Sequence, residues 1–236
     1  MRLDVDIARK TFINAAGERT DVLSGINFVL ATGEVGVFIG PSGCGKSTML
    51  RILTGLDHDF QGQVSRPADA RIGMVFQEPR LLPWRSVEDN VRLAAPQAGA
   101  ARLSQLFAAL ELNGHRNHFP HELSLGLARR VALARAFAVE PDILILDEPL
   151  ASLDATLAAN LRDQIAALVD NRSVTTMLVT HDIDDAVRLG DRLFFLSPRP
   201  AQILATVPIL TPRAARSEAD LNRIKADLAR LNVVNV

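Results

Sequence analysis

Polar and apolar residues alternate through Leu3-Asp4-Val5-Asp6-Ile7 and again through Gly25-Ile26-Asn27-Phe28-Val29-Leu30, the period-two pattern of strands with one buried face. The turn-forming stretch from Asn14 to Gly17 lies between them, so they are expected to pair as an antiparallel, hairpin-like layer. The pattern then changes. Val35-Gly36-Val37-Phe38-Ile39 and Ile143-Leu144-Ile145-Leu146 carry no polar residue, as strands do in a parallel sheet covered on both faces. Arg71 to Phe76, Val174 to Thr180, Arg192 to Ser197 and Ala201 to Val207 are further candidate strands, the last two around the turn Pro198-Arg199-Pro200.

Helical spacing falls between these strands. It runs from Ser47 to Leu56 with a stop near Gly55, from Ser86 to Leu93, and from Ala101 to Leu112, where Leu103, Leu106, Phe107 and Leu110 share a face suited to core packing. Ser124 to Val139 is a longer helix closed by Glu140-Pro141, Ala155 to Val169 another, and Asp182 to Leu189 a short one opened by its aspartate and ended by Gly190. A last helix, Glu218 to Leu231, would present Leu221, Ile224, Leu228 and Leu231 to its own domain. Pro79 and Pro83 make Gln77 to Arg85 a loop. Strands alternating with helices imply an α/β fold with a parallel sheet.

The segment Gly40-Pro41-Ser42-Gly43-Cys44-Gly45-Lys46-Ser47-Thr48 follows the apolar strand directly and fits G-x-x-x-x-G-K-[ST]. Glycines at these positions let successive N–H groups turn toward phosphate oxygens at the start of a helix, whose dipole also favours negative charge. Lys46 is placed to reach the β- and γ-phosphates of a nucleoside triphosphate, and Ser47 to offer its hydroxyl to Mg²⁺, a hard cation that takes few protein oxygens.

At 236 residues, 48% of them apolar, the chain can bury a sizeable core. A net charge of −1 argues against a nucleic-acid binder that works through bulk positive charge. Cys44, the one cysteine, can make no internal disulfide and suits a reducing compartment. The N-terminal residues lack the apolar segment of a secretory signal, and no run of about 18 apolar residues crosses a bilayer, so a membrane link is expected to go through a partner. No internal repeat or low-complexity segment is present, and His58, His115, His118 and His121 fall in no motif.

A second chemical feature closes the apolar run at Ile143: Asp147-Glu148, two acids at the C-terminal end of a buried strand, where an open parallel sheet places its ligands. Asp147 can hold Mg²⁺ through water, and Glu148 can orient and polarise an attacking water. The order of short motifs then becomes specific: the phosphate loop, Gln77 after a strand, Leu123-Ser124-Leu125-Gly126-Leu127, Asp147-Glu148, Ser152-Leu153-Asp154, and His181 after a strand. In this order, over nearly its whole length, the chain resembles the ATPase subunits of ABC transporters.

The resemblance implies a P-loop ATPase core with a parallel sheet, an N-terminal antiparallel β layer and a helical subdomain bearing the signature motif. That subdomain is expected at about 86–140, with the core formed by about 1–85 and 141–236. It implies that Phe12 stacks on adenine through its ring face, the alternative being a core phenylalanine. Gln77 becomes a reporter of γ-phosphate and Mg²⁺, and His181 a switch contact to the γ-phosphate. Ser124, Leu125 and Gly126 would meet the γ-phosphate held by the other subunit, so two copies are expected to pair head to tail around two ATP molecules. Asp154 would lie at that interface, and it also suits the cap of the helix that follows.

The usual signature of the family is Leu-Ser-Gly-Gly-Gln, whereas this chain has Leu125 and Leu127 with Ala128-Arg129-Arg130 after them. Leucine donates a backbone N–H as glycine does, provided that φ there is negative. Loss of one such donor costs on the order of 3 kcal/mol of transition-state stabilisation. The expectation is an active ATPase, slowed where position 125 demands a glycine. The segment Phe76 to Val91, with Leu82-Pro83-Trp84 at its centre, resembles importer ATPases for nitrate, alkyl sulfonates and taurine, and the exposed aromatic would dock a membrane subunit. Alternatively, Trp84 fills its own subdomain core. The implied setting is the cytoplasmic face of a membrane, with permease subunits, a separate solute-binding protein and no nucleic acid. The competing readings are a soluble ABC-type ATPase outside transport and a P-loop kinase or GTPase.

Overall fold

The structure is a computed structural model and describes residues 2–231. In chain order its elements are β1 (Leu3–Ile13), β2 (Arg19–Leu30), β3 (Val35–Ile39), α1 (Lys46–Thr54), β4 (Gln61–Ser65), β5 (Ile72–Val75), α2 (Val87–Ala94), α3 (Ala100–Ala109), α4 (Leu125–Ala138), β6 (Ile143–Asp147), α5 (Ala155–Asp170), β7 (Thr175–Thr180), α6 (Ile183–Leu189), β8 (Arg192–Leu196), β9 (Ile203–Pro208) and α7 (Glu218–Arg230). They fall into two compact units, Met1–Ala68 with Thr175–Val236, and Asp69–Val174.

In the first unit β1 pairs antiparallel with β2, Leu3 opposite Leu30, and on its other side with β4. Leu3, Val5 and Ile7 point into the core as the alternation requires. The register then slips after Ile7 against β4 and after Lys10 against β2, and Lys10 takes an inward position at 2% exposure. Its ammonium is paired with Asp57 at 2.9 Å and Asp59 at 3.3 Å, which is what makes a buried lysine tolerable. A second set of strands runs β7-β3-β8-β9, with β3 parallel to both neighbours and β9 antiparallel to β8. Phe28, Phe38 and Phe194 pack between the two layers with centroids 4.5 to 5.4 Å apart.

The last helix packs on its own unit. Lys225 pairs with Asp184 and Arg188 with Glu218, tying α7 to α6, while Leu221 and Leu228 are buried. Leu231 departs from the expected stripe: α7 ends at Arg230 and Leu231 is exposed. Strand β4 is also new. Its sequence, Gln-Gly-Gln-Val-Ser, is polar because it lies at the sheet edge, and Gly62 at φ 130° has no room for a side chain, since a Cβ would fall 2.0 Å from the Asp6 carbonyl oxygen.

In the second unit β5 and β6 pair in parallel from Ile72↔Ile143 to Val75↔Leu146. Helix α4 packs against α2, α3 and β5 and is buried on nearly every side, and the α3 stripe Leu103, Leu106, Phe107 and Leu110 is fully buried. Parallel strands, an N-terminal antiparallel layer and a helical part bearing Ser124 to Leu127 together give the expected α/β class. Among the described residues no helix is long and apolar enough to cross a membrane.

Candidate active site

The first unit carries the phosphate loop. It leaves the C-terminal end of β3, a strand flanked in parallel by β7 and β8, and leads straight into α1. Three glycines make that path possible. Gly43 at φ 77° and Gly45 at φ 130° hold conformations that L side chains avoid, and a Cβ on Gly40 would fall 2.9 Å from Leu196 Cβ. Lys46 Nζ donates to the carbonyls of Gly40 at 2.7 Å and Pro41 at 2.9 Å, so the loop closes on its own lysine. Arg199 Nη2 donates to Gly43 O at 2.8 Å and braces the loop from the β8–β9 turn. Cys44 is buried, Pro41 and Thr48 are half-buried, and Ser42 and Ser47 are exposed.

Phe12 and His181 belong to the same unit. Phe12, near the end of β1, is 44% exposed, which removes the core reading, and its ring lies 4.7 Å from Lys10 Nζ. His181 follows β7 and is exposed; the cap of α6 is Asp182, whose Oδ1 accepts from Asp184 N at 2.7 Å and Asp185 N at 3.4 Å. A core or capping histidine is therefore not what the structure has.

The second unit carries the acids. Asp147 ends β6 and is buried, and Glu148 follows at φ 46°, in the left-handed region, which costs a non-glycine residue on the order of 1 kcal/mol. Gln77 Nε2 donates to Glu148 Oε2 at 3.4 Å, because the parallel pairing of β5 with β6 brings the residues after Val75 beside those after Asp147. Ser124 caps α4, its Oγ accepting from Leu127 N at 3.3 Å. Leu125 is the first residue of that helix, lies outside the positive-φ residues and is 45% exposed, so its N–H is presented as a glycine's would be. Asp154 caps α5, accepting from Leu157 N at 3.0 Å. Trp84 is 70% exposed, against the core reading, in a loop with half-buried Leu82 and exposed Pro83.

Three residues missed in the sequence hold these segments in shape. Arg129 on α4 donates from Nη1 to the carbonyls of Glu148 and Pro149 and from Nη2 to that of Ala151. Arg135 donates to the carbonyls of Pro79 and Arg80 at 2.8 Å, in the loop after Gln77. Burial pushes both guanidinium groups below their ordinary value, an effect that the Glu148 charge partly offsets at Arg129. Buried Asn90 accepts from Leu82 N at 2.8 Å and its amide nitrogen faces the carbonyls of Leu82, Arg85 and Ser86, which pins the loop that presents Trp84. The available signal was arginine inside a helix that is otherwise apolar, since such residues are buried only when paired.

The first unit thus carries a glycine cradle closed on a lysine at the end of a parallel strand, and the second a strand that ends in a buried acid followed by a strained one, each a feature of P-loop nucleotide hydrolases. The ABC transporter family profile matches residues 23–151, which run from before the loop to past Glu148. The chain is 42% identical over 228 residues to the aliphatic sulfonates import ATP-binding protein SsuB 2 of Pseudomonas syringae pv. tomato, covering 95% of each. It is 38% identical over 222 residues to SsuB of Bacillus licheniformis, covering 90% of this chain and 86% of that one. Among solved structures, the dimeric ATP-binding cassette MJ0796, in a post-hydrolysis state with ADP and Pi, is similar at a TM-score of 0.77 and 29% identity, covering 90% of this chain and all of that one. The chain belongs to the ABC transporter family, as an ATP-binding and ATP-hydrolysing subunit.

Proposed function

We propose that this chain is the motor of an importer for a small sulfonate-type anion, and that it works on the cytoplasmic face of the membrane as a head-to-tail dimer against permease subunits fed by a solute-binding protein. The observation that carries the motor reading is the glycine-shaped loop between β3 and α1 with Lys46 turned onto it. The solute class rests on the relatives, which are aliphatic sulfonates import ATP-binding proteins. The dimer rests on the similar cassettes, which were solved as dimers.

In this reading Lys46 leaves the Gly40 and Pro41 carbonyls for the β- and γ-phosphates, which gives its ammonium charged acceptors in place of neutral ones. The loop N–H groups from Ser42 to Thr48 hold the phosphates, and Phe12 offers a ring face to adenine. Glu148 orients water toward the γ-phosphorus; the water oxygen bonds to phosphorus as the bond to the bridging oxygen of ADP breaks, releasing inorganic phosphate. Gln77, bonded to Glu148, reports the state of that site, and His181 contacts the γ-phosphate. Ser47, Gln77 and Asp147 are the residues that would hold Mg²⁺, since a hydroxyl, an amide and a carboxylate oxygen are the donors such a hard cation takes. Mg²⁺ when bound with the triphosphate neutralises developing charge. Ser124, Leu125 and Gly126 of one copy donate to the nucleotide of the other, and Asp154 lies at the same interface. Leu82, Pro83 and Trp84 dock the permease.

The test is the complex reconstituted with its permease and solute-binding protein in vesicles, assayed for ATP-driven uptake of a panel of sulfonates, taurine, nitrate and unrelated solutes. Uptake of alkyl sulfonates above the rest supports the reading. Uptake of a cationic or neutral solute alone contradicts it.

A further inference from the structure

Arg129 does something in the second unit that no motif records. Its side chain is 5% exposed, and its guanidinium reaches Glu148 O at 3.0 Å, Pro149 O at 2.9 Å and Ala151 O at 2.6 Å. These three carbonyls trace the turn by which the chain leaves β6. The turn is closed by its own bond from Ala151 N to Glu148 O at 3.2 Å, and Glu148, at φ 46°, is its strained corner.

A residue in the left-handed region keeps that conformation only where its surroundings fix the backbone more firmly than local preference does. Here the fixing group is a planar fork with donors in set directions, which a flexible ammonium does not reproduce. Arg129 Nε, buried, has no acceptor among the described residues. A purely packing role would be filled better by an apolar side chain, which leaves no such donor unmet. The other end of the fork's reach matters as well. Arg129 stands in the second turn of the helix that Ser124 caps, so the turn that carries Glu148 is bonded to the helix that begins with Ser124, Leu125 and Gly126.

We propose that Arg129 is a positioning residue for hydrolysis: by holding the Glu148, Pro149 and Ala151 carbonyls, it fixes the backbone from which the Glu148 carboxylate is aimed, and it couples that aim to the signature helix. The proposal rests on the reading of Glu148 as the group that orients the attacking water. A carboxylate misplaced by about 1 Å can lose on the order of a hundredfold in rate. Nucleotide affinity does not depend on that aim.

The experiment compares Arg129→Ala, Arg129→Lys and Glu148→Gln in the full chain, measuring steady-state kcat and KM for MgATP together with the mass of the species formed in MgATP. The expected result is a fall in kcat of about a hundredfold in Arg129→Ala with KM held, an intermediate kcat in Arg129→Lys, and a dimer that now accumulates in MgATP because its nucleotide is bound and not cleaved. A structural role alone would lower kcat and nucleotide binding together. Should Arg129→Ala not fold, the Lys variant decides in the same way. Wild-type kcat in the Arg129 variants while Glu148→Gln is inactive overturns the proposal and leaves Glu148 in place, as does a loss of kcat matched by the loss of binding. Wild-type kcat in Glu148→Gln overturns the reading beneath it.

Discussion

Gly126 lies against Leu157, so closely that a Cβ built on it would fall 2.4 Å from Leu157 Cδ2 and 3.1 Å from Cγ. A side chain at this position, in the first turn of α4, would have to displace the Leu157 side chain on α5. Gly126→Ala is expected to lower stability by roughly 1–3 kcal/mol through overpacking, read from the urea midpoint at unchanged slope. A midpoint at the wild-type value would show that Leu157 yields freely.

Leu125 offers a cleaner test of the signature. Proline is well tolerated in the first position of a helix and lacks an N–H, and Ser124 ahead of it is extended at ψ 161° as a residue before proline should be. Leu125→Pro should thus keep the fold and remove one donor, lowering the ATPase rate about a hundredfold or more. Leu125→Gly, which keeps the N–H, should turn over far faster than the proline variant. Equal rates in the two would mean that this N–H is not used.

Trp84 is held out by a loop that Asn90 pins from behind. Because the indole is mostly exposed, Trp84→Ala should shift stability by no more than about 0.5 kcal/mol. In the assembled complex the same variant should abolish uptake while nucleotide binding persists, as measured by uptake and by MgATP affinity on one preparation. Loss of both together would return Trp84 to a packing role.

Asp142 and Arg71 clasp the starts of β6 and β5. The Arg71 backbone N–H, at 2.9 Å, is the main reason that the Asp142 carboxyl is held below its ordinary 3.8, with the Arg71 side chain adding to it. A depressed folded value stabilises the protein above the unfolded pKa and ceases to do so as pH falls through the folded one. Asp142→Asn should therefore be less stable than wild type at neutral pH, and the gap should close as pH drops below 3.8, as read by denaturant titrations across pH. A gap that stays constant would assign the effect to shape alone.

Much of this was legible in the sequence because it depends on neighbours along the chain. The phosphate loop is a local turn whose glycines announce it, and a strand buried on both faces shows as an unbroken apolar run, as Ile143 to Leu146 does ahead of Asp147. The helix caps at Asp154 and Asp182 were likewise local. Strand β4 escaped because a polar edge strand gives little period-two signal, and its register depends on β1, far away in sequence. Arg129, Arg135 and Asn90 escaped for a related reason: their partners are carbonyls, which every residue has, so nothing in the partner's identity marks the bond. The contact of Gln77 with Glu148 needed the pairing of β5 with β6 before the two motifs could be joined.

The claim beneath the proposed function is that a nucleotide held by the loop of one copy is closed over by Ser124, Leu125 and Gly126 of another. Sedimentation velocity of Glu148→Gln, with and without saturating MgATP, addresses it directly. The account predicts a monomer without nucleotide, a dimer with it, and a return to monomer when Ser124→Arg is added. A species that binds MgATP fully and remains monomeric, alone and with its permease, would contradict it.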